Sequence, residues 1–599
     1  MDLNKHPDQH LKTITILLFI SAGVVFLFSL PSYQAVIALL GRLQPDGSFD
    51  SLTTQTYSML QWLIRGKALI LAAAGAFSLI DKDRSSGWIR KIGDKLSRVS
   101  IGAELKDMFH STFTREDKWV VIALGVVTLL GLLIRLIQID RTVDYDEAYT
   151  FIHFASRSLR YIVTDYSAPN NHVFHSLMVY LAYHIFGNHL WALRLPTLMA
   201  GVLTIPAVYM AGKVFYGRNA ALTAAVLVAC TPMLVDFSNN ARGYTLMCLF
   251  SCLILWIAAN LRERSSFTGW LLLAVFSALG FYTLPVMVYP VCAIFLWLLL
   301  SWVFKDTGTN LRGEFITGFL ITSISTILLT ISLYSPIMIF GTGLSSITSN
   351  DFVKSQGWMD FLQNLQTRLP RIWGDWVWRV PDSLVWLSAI GFALLIILEW
   401  RKFKHRVPVW IAALFAIGVL IVAQRVTPWP RVWLFLLVFY LLWASAGWAA
   451  LVKILIARLS WKVLQPIFLG AAILATLAGY VSYKSDPTFN SPEKNITRSI
   501  ANYISDHITD EDTLVAVSPF SITVGYYLKM NGVPFERFYD RDRKGEIKHA
   551  FVIVADRSKF PTLQSVIDFQ RLQNTLDIKQ AEQIYQHKRI LVYSVPILP

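Results

Sequence analysis

Long apolar runs alternate with short polar loops along most of the chain. The runs are roughly 17–25 residues long, the length at which a helix spans the hydrocarbon core of a bilayer. They predict an α-helical polytopic membrane protein with about thirteen transmembrane helices. The predicted spans are 12–30, 62–80, 118–139, 190–212, 219–236, 244–261, 268–284, 286–303, 314–336, 384–400, 408–424, 432–452 and 463–482.

A further apolar stretch, residues 173–186, is too short to be a good span. It contains His175 and His184 and ends at Gly187. We expect it to form a helix that lies in the outer interface of the membrane or dips into it.

The basic residues give the chain an orientation. The formal net charge is +15, and the excess lies in short loops, such as 81–100 and 401–406, that the predicted spans place on one side. Cytoplasmic loops carry such an excess of Lys and Arg. The amino terminus is therefore predicted inside and Asp146 outside, and the charge does not require a nucleic-acid partner. Separately from the charge pattern, we favour a bacterial cytoplasmic membrane.

Three domains follow from the change in composition along the chain. Residues 1–117 hold two predicted spans and a basic cytoplasmic loop, residues 118–484 the main set of spans, and residues 485–599 a polar tail. In the tail, short apolar runs alternate with helical patterns, which predicts a small extracytoplasmic α/β domain. The cysteines lie in apolar runs, so neither a disulfide framework nor a zinc site is indicated.

Polar residues collect at the predicted outer ends of several spans. Asp144, Asp146 and Glu147 follow the span 118–139, where the chain should leave the membrane. Further polar turns lie at the same face at 168–176, 235–244, 281–285 and 425–433. Because ionisable groups at a membrane edge often mark a functional site, this convergence predicts a site on the outer face.

Each of these residues also has an ordinary structural interpretation. The acidic cluster could cap the helix that follows it. Arg242 and Arg431 could be interfacial anchors whose charges reach the headgroups. Asn171 and His172 could cap the next short helix, and Asp236 could be an ordinary loop acid.

A series of short motifs follows the acidic cluster in order: Asp146-Glu147, "NNH" at 170–172, "IFG" at 185–187, "WALRLPTLMAGVLTIPAVYMAGKVFYG" at 191–217 and "ARGY" at 241–244. With this series, the segment 118–300 resembles the polyprenyl-phosphate-sugar-dependent glycosyltransferases of the GT-C fold. The most similar groups are the protein mannosyltransferases of glycosyltransferase family 39 and the aminoarabinose lipid A transferases.

The chain also departs from the pattern of this superfamily. Many relatives carry a Glu just before the "AR" of the last motif, where this chain has Asn240, and Asp236 is a candidate replacement. Val173 and Phe174 stand where relatives often have two prolines. Two additional spans precede the first span of the family.

The resemblance implies transfer of a hexose or pentose from a polyprenyl phosphate to a protein, lipid or cell-envelope glycan on the extracytoplasmic face. Asp146 is implied as the general base, and direct displacement with one base implies inversion at the anomeric carbon. Substrate-binding roles are implied for Glu147, Asn171, His172, Asp236, Arg242, Arg425 and Arg431. No cofactor and no metal is expected.

These substrate-binding residues differ in their implied roles. Glu147 would orient Asp146 or contact the acceptor, and Asn171 and His172 would line the sugar pocket. The arginines would hold the phosphate, and Asp236 would bind a sugar hydroxyl or pair with an arginine. A polytopic transporter or flippase is the alternative from another class, although transporters usually place polar groups near the membrane midplane. The sugar, the acceptor, the role of the tail and the oligomeric state stay open.

Overall fold

The computed structural model describes residues 7–41, 54–80, 101–113, 116–307, 312–349, 354–400, 407–455, 470, 496–533, 538, 548–555, 560–587 and 590–598. Within these residues the chain is mostly helical, with one small sheet towards the carboxyl end. The predicted α-helical fold with a small α/β tail is confirmed.

The predicted spans that fall within the described residues coincide with helices, although some of them are interrupted. The long helices are Pro7–Leu27, Thr54–Ile80, Lys118–Leu136, Leu190–Tyr216, Arg218–Cys230, Tyr244–Glu263, Phe267–Thr283, Val288–Val303, Arg312–Phe340, Asp382–Trp400, Val409–Gln424 and Leu434–Leu455. The predicted span 463–482 and the basic segments 81–100 and 401–406 lie outside the described residues, as does the predicted domain boundary at 484–485.

Seven helices in the described part of the chain are long and apolar enough to cross a membrane, or eight if one bent pair counts as a span. Shorter apolar helices include Val173–Phe186, which coincides with the predicted interfacial segment. Smaller helical elements between the spans are Tyr33–Gly41, Ile101–Phe113, Tyr145–Thr150, the π-helix Phe151–Ala155, Leu159–Thr164, Pro232–Ser238, Pro285–Met287, Leu344–Thr348, Trp358–Val377 and Pro430–Trp433.

The predicted span 219–236 is not one straight helix. It bends by 61° between Arg218–Cys230 and Pro232–Ser238, because Pro232 cannot continue the hydrogen bonding of the first helix. Arg135 of the neighbouring helix is buried and donates to the carbonyls of Val228 at 3.3 Å and Ala229 at 2.7 Å. The guanidinium thus pairs with backbone oxygens near the break, which would otherwise lack donors inside a membrane.

The tail forms a four-stranded sheet with helices beside it. The strands are β1 (Asp512–Val515), β2 (His549–Ala555), β3 (Glu582–His587) and β4 (Ile590–Pro596), in the order β1-β2-β4-β3. β1 and β2 are parallel and the other pairs antiparallel. The helices are Ile496–His507, Phe520–Met530 and Leu563–Gln570.

The tail packs directly on the outer loop that begins after the helix Lys118–Leu136. Val143 and Phe151 of this loop share a hydrophobic core with residues of the tail. The backbone N–H of Val143 donates to the Tyr527 hydroxyl at 3.0 Å, and the rings of Phe151 and Tyr526 meet edge to face at 5.5 Å. The tail therefore supports the segment that carries Asp146.

Candidate functional site

Asp146 lies in the first turn of the helix Tyr145–Thr150, shortly after the chain leaves the helix Lys118–Leu136. Its Oδ2 accepts from Arg242 Nη1 at 2.5 Å and from Arg431 Nη1 at 2.9 Å. Its Oδ1 accepts from Asn170 Nδ2 at 3.3 Å. The side chain is 27% exposed, so a carboxylate held by two guanidiniums remains accessible from the surface of the protein.

Glu147, the next residue, points into the protein and is buried with Arg194. Arg194 Nε and Nη2 donate to its two oxygens at 2.9 and 2.8 Å. The remaining donors of Arg194 bind the backbone carbonyls of Ile139 and Arg141 at 2.7 Å each and of Thr142 at 3.2 Å. The hydrogen bonds of this guanidinium thus hold residues 139–147, the segment that contains Asp146, in place.

The Glu147 carboxylate also joins two parts of the site. Its Oε2 accepts from the N–H of Asp144 at 3.0 Å, at the start of the helix. Its Oε1 accepts from the N–H of Ala241 at 2.7 Å. Because Ala241 precedes Arg242 and Glu147 follows Asp146, this carboxylate links the backbone segments that carry the two members of the Asp146–Arg242 ion pair.

The charge state of Glu147 follows from these contacts. Burial by itself raises the pKa of the Glu147 carboxyl, but the charge and hydrogen bonds of Arg194 outweigh burial and bring the pKa below its usual range. Glu147 is therefore ionised at neutral pH, and its negative charge balances that of the buried guanidinium.

The turn that carries Arg242 is tied to the second end of the outer loop. The N–H of Gly243 donates to His172 Nδ1 at 2.8 Å, and the rings of His172 and Tyr244 meet edge to face at 5.3 Å. A Cβ at Gly243 would approach Thr283 Cγ2 within 2.5 Å and His172 Cβ within 3.2 Å, so the packing of these side chains against the turn favours glycine at this position.

His172 and Asn171 are both buried. Burial, together with the nearby charge of Arg242, lowers the pKa of His172 well below its usual value, so the ring is neutral. Since Nδ1 accepts a hydrogen bond, the proton of the neutral ring lies on Nε2. Asn171 Nδ2 donates to the carbonyls of Ile162 at 2.9 Å and Asp165 at 2.6 Å, which closes the loop ahead of His172.

Asp236 lies beside the cluster but is bound to a different arginine. Its Oδ1 accepts from Arg141 Nη1 at 3.2 Å. Arg141 also approaches Asp144 at 3.4 Å, and Asn240 Nδ2 donates to Asp144 at 3.1 Å. Asp236 is expected from the sequence either to bind a sugar hydroxyl or to pair with an arginine, and in the structure it pairs with Arg141. Asn240, which replaces the acid of many relatives, is hydrogen bonded to an acid instead.

The last outer turn carries Arg425 and Arg431 in different surroundings. Arg431 reaches Asp146, and its Cζ lies 5.9 Å from the ring centre of Trp429. Arg425 has a positive φ of 51° and lies over Trp358 at 5.5 Å. Asp146, Arg242 and Arg431 are therefore brought together by direct contacts, whereas Arg425 contacts an aromatic ring on the neighbouring outer helix.

Sequence reasoning missed Arg194, Arg141 and Tyr527. Arg194 stands in the "ALRLP" motif, so the motif marked its position, but nothing in the sequence identified Glu147 as its partner. Arg141 directly precedes the acidic cluster and carried no signal of its own. In the described part of the chain, no group of three or more His, Cys, Asp or Glu side chains is placed to hold a metal ion.

Part of the chain is similar to a described protein family and to one curated protein. Residues 171–329 match the family described as dolichyl-phosphate-mannose-protein mannosyltransferase. Over 113 residues, 19% of this chain, the sequence is 32% identical to the inferred mannosyltransferase YkcB of Bacillus subtilis strain 168. The chain matches only 16% of the length of YkcB.

Among solved structures, ArnT from Cupriavidus metallidurans bound to undecaprenyl phosphate is similar to this chain. The TM-score is 0.52 at 14% identity, and the similarity covers 80% of this chain and 98% of ArnT. ArnT in the apo state gives the same TM-score and identity, with 97% of its chain covered. At this level of identity the similarity establishes a common fold, and the GT-C fold expected from the ordered motifs is confirmed.

Proposed function

We propose that this chain, a polytopic membrane protein of the GT-C glycosyltransferase fold, transfers a sugar from a polyprenyl-phosphate donor to an acceptor hydroxyl on the extracytoplasmic face. Asp146 is the general base, and displacement occurs in one step with inversion at the anomeric carbon. The donor class fits the match of residues 171–329 and the similarity to ArnT, which binds undecaprenyl phosphate.

One observation carries the proposal: a partly exposed carboxylate lies between two guanidiniums, a few residues after the end of a long apolar helix. Asp146 contacts Arg242 and Arg431 within 2.9 Å. The reaction needs a carboxylate to take a proton and cations to hold the departing phosphate. Both groups are present side by side, at the level where a lipid-borne sugar meets a water-borne acceptor.

The ion pairs suggest how donor binding prepares the base. A phosphate oxygen competes with Asp146 for Arg242 and Arg431, because guanidinium binds phosphate as readily as carboxylate. When these arginines turn to the donor, Oδ2 of Asp146 is released from its contacts. The free carboxylate can then accept a hydrogen bond from the acceptor hydroxyl.

The bond changes balance without a cofactor. The acceptor oxygen forms a bond to the anomeric carbon while the bond from that carbon to the phosphate oxygen breaks. The hydroxyl proton passes to Asp146, and polyprenyl phosphate leaves with the electron pair. Arg242 and Arg431 stabilise the charge that develops on the leaving phosphate.

The other residues of the site have supporting roles in this proposal. Glu147 holds Asp146 and the Arg242 turn in register through its bonds to the N–H groups of Asp144 and Ala241. Neutral His172 keeps the turn at Gly243 in place and presents Nε2–H as a donor. Asn171 shapes the loop from inside and does not need to touch the sugar.

The test compares Asp146→Asn with Asp144→Asn in lipid nanodiscs. Polyprenyl-phosphate sugars are supplied with candidate acceptors, and release of polyprenyl phosphate is measured. Asp144 is the matched control, since it lies two residues earlier, is 58% exposed and pairs with Arg141. Loss of a general base should reduce the rate by roughly 100-fold or more, while Asp144→Asn should stay near the native rate.

Two results would contradict the proposal. Equal release from native protein and Asp146→Asn would remove Asp146 from the mechanism. No release from native protein with any donor would favour the transporter or flippase interpretation.

A further inference from the structure

Arg368, Arg371 and Arg431 gather around one tryptophan beside the candidate site. Their Cζ atoms lie 3.7, 5.5 and 5.9 Å from the ring centre of Trp429. We call these residues the Trp429 cluster. Because Arg431 also contacts Asp146 at 2.9 Å, the cluster begins at the proposed base and extends away from it.

The charges of this cluster are only partly balanced. Among the described residues, neither Arg368 nor Arg371 forms a salt bridge with a carboxylate, although Asp375 follows Arg371 by one helical turn. Partial burial and the charge of Arg371 lower the pKa of Arg368. The face of the Trp429 ring attracts the guanidiniums but supplies no net negative charge. Such a cluster is suited to bind an anion, and guanidinium is well matched to phosphate.

The helix that carries Arg368 and Arg371 is amphipathic. Trp358–Val377 buries Phe361 and Trp376 against the protein. Gln356, two residues before this helix, connects it to the turn 425–433, because its N–H donates to the Arg425 carbonyl at 3.0 Å and its Nε2 to the Thr427 hydroxyl at 3.2 Å. Large apolar side chains are exposed along the same helix, namely Met359, Leu362, Leu369 and Trp373. A helix of this kind lies in the plane of the membrane interface.

These observations show two guanidiniums without a carboxylate partner among the described residues, on a helix that also exposes apolar side chains suited to lipid tails. A ligand that satisfies both features carries an anionic headgroup and a long apolar chain. We propose that Arg368 and Arg371 bind the phosphate of the polyprenyl-phosphate donor as it arrives from the bilayer, and that the phosphate then passes Trp429 to reach Arg431 and Arg242. This inference rests on the proposed function, because it assigns to the same donor a first binding position.

The experiment measures binding rather than turnover. Native protein and Arg368→Gln/Arg371→Gln are placed in nanodiscs of neutral phosphatidylcholine, and the Kd for labelled undecaprenyl phosphate is measured. Arg379→Gln is the matched control, because Arg379 lies 3.7 Å from the ring centre of Trp378, the same distance as Arg368 from Trp429. Arg368→Lys/Arg371→Lys keeps the charge, and thermal unfolding confirms that each variant is folded.

We expect Kd to rise roughly tenfold or more in the glutamine pair, as loss of charge-assisted hydrogen bonds predicts. Arg379→Gln should stay close to native, and the lysine pair should lie between. An unchanged Kd in the glutamine pair would overturn the inference while leaving the proposed function intact. If inorganic phosphate, or phosphatidylglycerol in the bilayer, displaces the labelled undecaprenyl phosphate as effectively as unlabelled undecaprenyl phosphate does, the inference is also overturned. Native protein that binds no undecaprenyl phosphate would instead contradict the proposed function.

Discussion

Glu147 and Arg194 form a buried salt bridge, with 2.8 Å between Oε2 and Nη2 and side-chain exposures of 1% and 0%. Arg194 donates to the Ile139 carbonyl, and Glu147 accepts from the N–H of Ala241. The pair therefore connects the loop before Asp146 with the segment before Arg242. The pair lies behind Asp146, on the opposite side from the surface. It therefore determines the position of the proposed base without facing the substrate.

The first prediction concerns this pair. Glu147→Gln leaves the Arg194 guanidinium buried without a carboxylate, which should lower the free energy of unfolding by ~3–5 kcal/mol. The turnover number should also fall, because Asp146 and Arg242 lose their common support. The measurements are chemical unfolding in detergent and the initial rate of polyprenyl phosphate release.

The double variant Glu147→Gln/Arg194→Met is the control for stability. Replacing both partners removes the unpaired charge, so stability should partly return. Activity should stay low, since the bonds to the N–H groups of Asp144 and Ala241 are weakened in both variants. Recovery of activity together with stability would show that the pair has no positioning role.

The pairing of Glu147 with Arg194 illustrates how far the sequence could predict the site. Apolar length predicts most of the helices, because a bilayer imposes a narrow range of span lengths. The order of motifs predicts that the acids and the "ARGY" turn belong to one site. Neither pattern specifies side-chain partners across the chain, so the salt bridge with Arg194 was not predicted.

The side-chain contacts at the broken helix and at the docked tail could not be predicted from the sequence, for related reasons. Pro232 is visible in the sequence, but the partner of the backbone oxygens near the break, Arg135 of another helix, is not. The contact of Tyr527 with Val143 joins residues that are far apart in the chain. Periodicity and composition report on local structure, and these contacts depend on how distant elements pack.

A second prediction tests the two arginines at Asp146. Arg242→Gln or Arg431→Gln should lower kcat/KM for the donor roughly tenfold or more, because each removes a charge-assisted hydrogen bond to the phosphate. Arg157→Gln is the control, since Arg157 lies on the same loop as Asp146 and packs over Tyr161 at 4.7 Å. If Arg157→Gln reduces kcat/KM as strongly, the effect reflects overall positive charge rather than these two contacts.

The third prediction concerns the support from the tail domain. Tyr527→Phe removes the hydroxyl that accepts from the N–H of Val143 at 3.0 Å. This N–H lies just before the helix of Asp146, so we expect kcat to fall several-fold with little change in KM, corresponding to roughly 1 kcal/mol for one hydrogen bond. Initial rates over a range of donor concentrations separate the two constants.

Tyr503→Phe supplies the matched control for this prediction. The Tyr503 hydroxyl donates to the Ile584 carbonyl at 3.0 Å within the tail domain. Both variants lose one hydroxyl and one hydrogen bond, so their unfolding transitions should shift by similar amounts. A similar loss of kcat in both would mean that the tail contributes only stability.

The fourth prediction is a loss of stability in mild acid. Burial and the charge of Arg242 lower the pKa of His175 to about 3, and His172 is shifted in the same direction. The unfolded chain binds protons at these rings below about pH 6.5, while the folded protein does not. Each ring therefore contributes stability that is fully present above pH 6.5 and decreases by ~1.4 kcal/mol per pH unit below it.

Replacing one ring should reduce this dependence on pH. His175→Phe keeps a ring of similar size but removes the group that titrates, so its unfolding free energy should fall less steeply between pH 6.5 and 5 than that of the native protein. His184→Phe is the matched control, because it removes an exposed histidine ring from the same helix. Equal slopes for His175→Phe and native protein would mean that the His175 ring becomes protonated in the folded protein, in contradiction to its burial beside Arg242.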